Sequence, residues 1–270
     1  MITTNFHTHT SFCDGKNTPE EMVLAAIAKG FTALGFSGHC DLYLPCNEYS
    51  MTEESEPLYR KEVERLKQKY RDIITIYCGA ELDYYSVLPK NANYDYLIGS
   101  VHFILKNGKY IPVDLSVEET LKAVNEIYGG DFDSYAEDFF ALEADVLNKT
   151  NADIIGHLDI VSKYSEITGY TPSDRYLAAA EKAVKSLVAH KKPFEINTGA
   201  ISKGYRTTPF PSAEILKMIK GLGGKIMIAS DCHDKDFLDC AFDKAVNLAI
   251  NCGFSEYGII TKDGIKYIPF

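Results

Sequence analysis

The feature that most restricts this chain is a repeated alternation. Short apolar, often β-branched runs are each followed by a helical pattern, roughly seven times along the chain. The runs are residues 1–6, Phe31–Ser37, Ile73–Ala80, Tyr94–Val101, Ala152–Ile155, Pro193–Ile196 and Lys225–Ser230, with a last apolar run at Tyr257–Thr261. Between them the periodicity predicts helices from Pro19 to Lys29, Glu53 to Arg71, Ser116 to Tyr128, Tyr135 to Asn148, Ser173 to near His190, Pro211 to Gly221 and Phe237 to Asn251. The first is marked by Thr18-Pro19-Glu20-Glu21, a capping-box pattern with proline at the first helical position. Strand then helix, repeated, predicts a parallel sheet with helical crossovers. The sheet could be open and doubly wound, or closed into a barrel.

The residues just past each run decide between the two. His7 and His9, His39, Glu81, His102, His157, Asp231 and His233 all stand there, and Asp14 comes after His9 across a short loop. Residues two apart on an extended chain point the same way, so His7 and His9 can reach one point. One histidine after a strand is ordinarily a turn or a satisfied core residue; the joint occurrence carries the argument. Open sheets gather ligands at one crevice, which few strand ends can share. A barrel rings all C-terminal strand ends around one mouth. We therefore expect a closed barrel with a polar, metal-binding rim, and residues 1–270 as a single domain. His190 is the exception, beside Lys191 and Lys192 at a helix end, and is expected at the surface. Cys13, Cys40 and Cys232 adjoin stronger ligand candidates and read as small packing residues.

At 46% hydrophobic the chain can fill a core, and a net charge of −10 argues against a nucleic-acid surface. The seven cysteines are scattered with no Cys-x-x-Cys pair, which points to free thiols and a reducing cytosol. No apolar run approaches the ~18 residues of a membrane span, and the N-terminus lacks a signal-peptide pattern.

The motifs resemble those of the polymerase and histidinol phosphatase (PHP) family. They are His7-Thr8-His9-Thr10 with Asp14-Gly15, Ser37-Gly38-His39, Gly79-Ala80-Glu81, Gly99-Ser100-Val101-His102-Phe103, Gly156-His157-Leu158-Asp159 and Ser230-Asp231-Cys232-His233. The stretches 94–103 and Glu195-Ile196-Asn197-Thr198 look like the stand-alone histidinol-phosphate phosphatases. Cys13 departs from relatives that often carry a small hydroxyl or acidic residue there. The resemblance implies a distorted (β/α)7 barrel and three divalent or transition metal ions, zinc, manganese or iron. It assigns His7, His9, Glu81 and Asp231 to the first, Glu81 as a bridge with His102 and His157 to the second, and Asp14, His39 and His233 to the third. A carboxylate has two oxygens and can bridge two cations.

The implied reaction is hydrolysis of a phosphate monoester, histidinol phosphate, by a metal-held hydroxide. Asp231 or His233 would pass a proton to the leaving alkoxide. Lys163, Lys203 or Arg206 would hold the phosphate, and Asp41, Tyr43 and Asp83 would face the substrate's ammonium and imidazole. The partner is then a small molecule, with no nucleic acid and no membrane. Rivals are a PHP-type phosphodiesterase or exonuclease using the same metals, a non-catalytic metal-binding module, and an amidohydrolase-like enzyme. The last typically bridges its metals through a carbamylated lysine, where Glu81 is the better candidate here.

Overall fold

The computed structural model describes residues 2–42, 44 and 48–270. Its strands are β1 (Thr4–Asn5), β2 (Ala33–Phe36), β3 (Thr75–Asp83), β4 (Tyr96–Ser100), β5 (Phe103–Lys106), β6 (Lys109–Pro112), β7 (Ile154–Ile155), β8 (Phe194–Asn197), β9 (Ile226–Ala229), β10 (Glu256–Thr261) and β11 (Gly264–Pro269). One nine-stranded sheet runs in the order β1-β2-β3-β4-β7-β8-β9-β10-β11. From β1 to β9 all neighbours are parallel, in the order in which they occur in the chain. Each expected apolar run carries one of these strands. No ladder joins β1 to β9 among the described residues. Their C-terminal extensions meet through a parallel bridge, Thr8 to Cys232. The Asn5 side chain also reaches across, its Nδ2 donating to Ser230 Oγ at 2.5 Å.

Two separate buried clusters arise from the period of two along the strands. In β2, Leu34 and Phe36 point to the large cluster shared with the helices, while Ala33 points to a second, smaller one. The smaller cluster contains Phe6, Ala33, Tyr96, Ile98, Ile154, Met227 and Ile260. Tyr96 spans it, its hydroxyl donating to Phe6 O at 2.7 Å and Phe36 O at 3.0 Å. A Cβ on Gly79 would lie 2.4 Å from the Tyr96 ring, so only glycine lets that ring lie against β3. The β10–β11 hairpin contributes Ile260 to this cluster, with Ile259 and Ile265 packed against it.

The first helix, Pro19–Ala28, has the expected capping box: Thr18 Oγ1 accepts from Glu21 N, and Glu21 Oε2 from Thr18 N. The expected helix from Tyr135 to Asn148 is instead two, Phe132–Glu143 and Val146–Thr150. The first starts early because Asp131 Oδ1 caps it, accepting from Ser134 N at 3.2 Å. The expected helix at 116–128 passes into a π turn at Ala123–Ile127. Two hairpins are additions to the expected pattern. β5–β6 turns at Asn107-Gly108, both at positive φ, which is the hairpin signature. The C-terminal run likewise folds back as β11. Among the described residues no helix is long and apolar enough to cross a membrane.

Candidate metal centre

The inward period of the strands delivers the polar residues to one end. Tyr77, Gly79 and Glu81 alternate along β3, and Tyr96, Ile98 and Ser100 along β4, with His102 just past it. The hydrophobic members fill the small inner cluster; the last members face the rim. On β8, Phe194 and Ile196 join the outer core, so Glu195 and Asn197 face inward. Asp231 stands just past β9 at φ +47°, a left-handed conformation that aspartate tolerates better than most residues. Asp14 is brought back by a tight loop. A Cβ on Gly15 would sit 2.4 Å from Thr10 N, which only glycine avoids.

Glu81, 1% exposed, is the hub. Its Oε2 lies 3.1 Å from His7 Nε2, 3.5 Å from His9 Nε2 and 3.1 Å from His39 Nδ1. Its Oε1 lies 3.0 Å from His157 Nε2 and 3.4 Å from His102 Nε2, and accepts from Ser100 Oγ at 2.7 Å. The two oxygens thus face two groups of imidazoles. Asp231 Oδ1 is 3.2 Å from His9 Nε2 and 3.6 Å from His7 Nε2. Asp14 Oδ2 is 3.0 Å from His233 Nε2, and its Oδ1 is 3.9 Å from His39 Nε2. Among the described residues, three groups have ligand atoms within 4.8 Å of one another: His9, Asp14, His39 and His233; His7, His9 and Glu81; and His39, Glu81 and His102. Ligands about 2 Å from a shared cation stand roughly 3–4 Å apart. His9 Nε2, Asp14 Oδ1 and His39 Nδ1 are also buried without a hydrogen-bond partner among the described residues. Crowded nitrogen and oxygen atoms, three of them buried with no hydrogen-bond partner, fit a cation cluster better than a fully hydrogen-bonded core.

Glu195 also reaches the cluster, from a position that strand-end reasoning does not single out. Glu195 Oε1 lies 2.6 Å from His7 Nδ1, and Oε2 accepts from His157 N at 3.0 Å and from Asn197 Nδ2 at 2.9 Å. Asn197 Nδ2 also donates to Asp231 Oδ2 at 3.2 Å. A carboxylate behind an imidazole fixes which nitrogen carries the proton and leaves the other for a ligand bond. The motif Glu195-Ile196-Asn197, a polar residue at alternate positions of a buried strand, is the signal that marks it.

Charge is balanced inside the cluster. Burial alone would raise Glu81 and Asp231; the histidines around them, His7 foremost, reverse this and hold both well below the usual carboxylate range. His9 is lowered to about 3 by burial and by His233 and His39, which keeps it a neutral imidazole. Burial would lower His7, but Glu195, Glu81 and Asp231 raise it well above its ordinary value. Burial pushes the Cys13, Cys40 and Cys232 thiols up to about 12, so without a cation beside them they remain protonated.

A cavity of about 680 Å³ opens over the cluster, with Phe103, Leu115, Ile160, Tyr164, Tyr205 and Phe210 in its wall. Lys163 and Lys203 both line it. Lys203 is exposed, and its charge helps hold Asp231 ionised. Arg206, expected to hold phosphate, lies outside the lining. Its guanidinium donates to Ser162 Oγ at 2.6 Å and to Thr208 Oγ1 at 3.3 Å, and it stacks 4.6 Å over the Phe210 ring. Asp83, expected to face the substrate, is instead fully buried. It accepts from His102 N at 2.7 Å and Tyr85 N at 2.9 Å, and burial beside Asp41 raises it to about 7. Asp41 does line the cavity, with Oδ1 accepting from Asp83 N at 2.9 Å and from Ser86 Oγ. Tyr43 lies outside the described residues. His190 is exposed, away from the site.

The PHP domain family matches residues 5–199. A protein of Lactococcus lactis named histidinol-phosphatase is 31% identical by sequence alignment, over 97% of this chain and 94% of its own. A solved histidinol phosphate phosphatase from Lactococcus lactis, complexed with zinc, L-histidinol and phosphate, superposes with a TM-score of 0.72 at 23% identity, covering 98% of each chain. A structure from Listeria monocytogenes superposes at 0.79 and 20% identity, covering 89% of this chain and 98% of its own. With a rim of imidazoles and carboxylates at the ends of parallel strands, and a family match across most of its length, this chain belongs to the PHP family.

Proposed function

We propose that this protein hydrolyses L-histidinol phosphate to L-histidinol and inorganic phosphate, a step of histidine biosynthesis. The observation that carries this reading is the Glu81-centred cluster at the floor of a small-molecule cavity, in a chain of which 97% is matched by a histidinol-phosphatase relative. In this reading the cofactor is three divalent or transition cations, zinc, manganese or iron. His7, His9, Glu81 and Asp231 would hold the first; Glu81, His102 and His157 the second; Asp14, His39 and His233 the third. Such cations, when bound, make water nucleophilic near neutral pH and offset phosphoryl charge.

The chain's own groups supply the rest. Glu195 and Asn197 orient His7 and Asp231. Lys203 and Lys163 stand at the cavity to receive phosphoryl oxygens. Asp231 or His233 returns a proton to the leaving alkoxide. Residues 1–270 act as one hydrolase unit, in keeping with a buried cluster running from Ile2 to Tyr257. A cytosolic setting goes with this reading, and the described cysteines carry free thiols. The substrate is a small phosphate monoester and not a nucleic acid.

The test is release of inorganic phosphate by the metal-replete protein from histidinol phosphate, compared with a dinucleotide and a nucleoside 3′,5′-bisphosphate. Turnover of histidinol phosphate is expected. Release from the nucleotides alone would replace the reading with a PHP-type phosphodiesterase.

A further inference from the structure

Asp114 stands at the cavity but outside the metal cluster. It comes after the β5–β6 hairpin, where Val113 N donates to His102 O at 2.9 Å, and its side chain lines the cavity. Lys163 Nζ donates to Asp114 O at 2.8 Å and Oδ2 at 3.0 Å, and Tyr164 Oη donates to Asp114 O at 2.7 Å. An ammonium has three N–H donors; two are spent on Asp114 and one is left. Asp114 Oδ1 takes no hydrogen bond from the described residues, although the side chain is only 25% exposed. Burial would raise this carboxyl; the Lys163 ammonium, with His102, reverses that and keeps it an anion.

Of the other acids at the cavity, all but the exposed Glu48 are committed elsewhere. Asp14, Glu81 and Asp231 face the histidines, and Asp41 holds Asp83 and Ser86. The Asp114–Lys163 pair therefore presents, side by side, a carboxylate oxygen and an ammonium proton, both unspent. A phosphate ester with an ammonium on the carbon next to its ester CH2 carries the mirror arrangement: a cation close to an anion.

We propose that Asp114 determines specificity for phosphate monoesters of vicinal amino alcohols, accepting a hydrogen bond from the substrate's ammonium while Lys163 donates its third N–H to a phosphoryl oxygen. The proposal rests on the histidinol phosphate reading and names the group that recognises the amine. It replaces Asp83 in that role, since Asp83 cannot reach the cavity.

The test is the ratio of kcat/KM for histidinol phosphate to that for its deamino analogue, 3-(imidazol-4-yl)propyl phosphate. A site built to pair a buried acceptor with a substrate donor discriminates strongly against the analogue lacking it, so the wild-type ratio is expected at about 100 or more. Asp114→Asn, which removes the anion, is expected to lower that ratio at least about tenfold. Asp114→Glu, which keeps the anion, retains more of the preference than Asp114→Asn. A ratio equal to wild type in Asp114→Asn, with both substrates slowed alike, means Asp114 only seats Lys163, and overturns the proposal. A wild-type enzyme that ignores both imidazolyl phosphates and cleaves nucleotides overturns the substrate reading as well. The two failures are thereby told apart.

Discussion

At the scale of single residues, the site depends on which oxygen or nitrogen meets which neighbour. Glu81 is the clearest case, because its two oxygens serve different imidazoles. Glu81→Ala is expected to remove two of three bound metals and nearly all turnover; elemental analysis of the purified protein checks the first and phosphate release the second. Retention of both would remove the bridging assignment. Glu195 stands behind His7 and is proposed to act through it. Glu195→Gln is expected to weaken metal affinity about 10–100-fold, the usual cost of losing a group that orients a ligand. Competition with a chelator measures it, and Tm should change little. The metal-type residues are legible in the sequence because their chemistry is rare and each stands just past an apolar run. Glu195 is marked in the sequence only by its Glu195-Ile196-Asn197 motif, because what it does depends on the Nδ1 of a residue far away in the chain.

At the scale of elements, strands and most helices are legible from period and caps, since both are local properties. The β5–β6 hairpin is harder to see although Asn107-Gly108 announces it, because the apolar run of β4 closes at His102 and the hairpin strands are only four residues each. That hairpin matters, for it carries the chain to Asp114. The helix Phe132–Glu143 ends in another feature that only packing reveals. Glu143 is fully buried, and neither carboxyl oxygen has a hydrogen-bond partner among the described residues. Burial raises its pKa well above the ordinary glutamate value of 4.5. The folded state therefore holds a proton that the unfolded chain gives up as pH rises past that value, so stability falls with rising pH. Glu143→Gln keeps the shape and removes this dependence. It should leave Tm unchanged in acid and raise it increasingly toward neutral pH. Calorimetry across pH is the check; a gain that is the same at every pH would contradict the assignment.

At the scale of the whole molecule, two cores divide the work. The outer one joins helices to the sheet, and the inner one fills the space beneath the rim. Ile260 reaches the inner core from the C-terminal hairpin and is 6% exposed. Ile260→Ala should cost about 2–4 kcal/mol of stability. It should leave KM nearly unchanged, because the substrate cavity is lined by residues at the rim. Denaturant unfolding together with steady-state kinetics separates the two effects.

The amino-acid order alone determined the alternation of strand and helix, the inward period that carries polar groups to strand ends, and the residue types that suit hard and borderline cations. These are local, set by side-chain chemistry and by the geometry of an extended chain. Only the tertiary structure decided that Arg206 turns to Ser162 and Asp83 lies beneath His102. It likewise decided that Glu195 stands behind His7 and that Asp114 shares Lys163. Those pairings join residues far apart in sequence, and their distances exist only once the parallel strands have brought their ends to one rim.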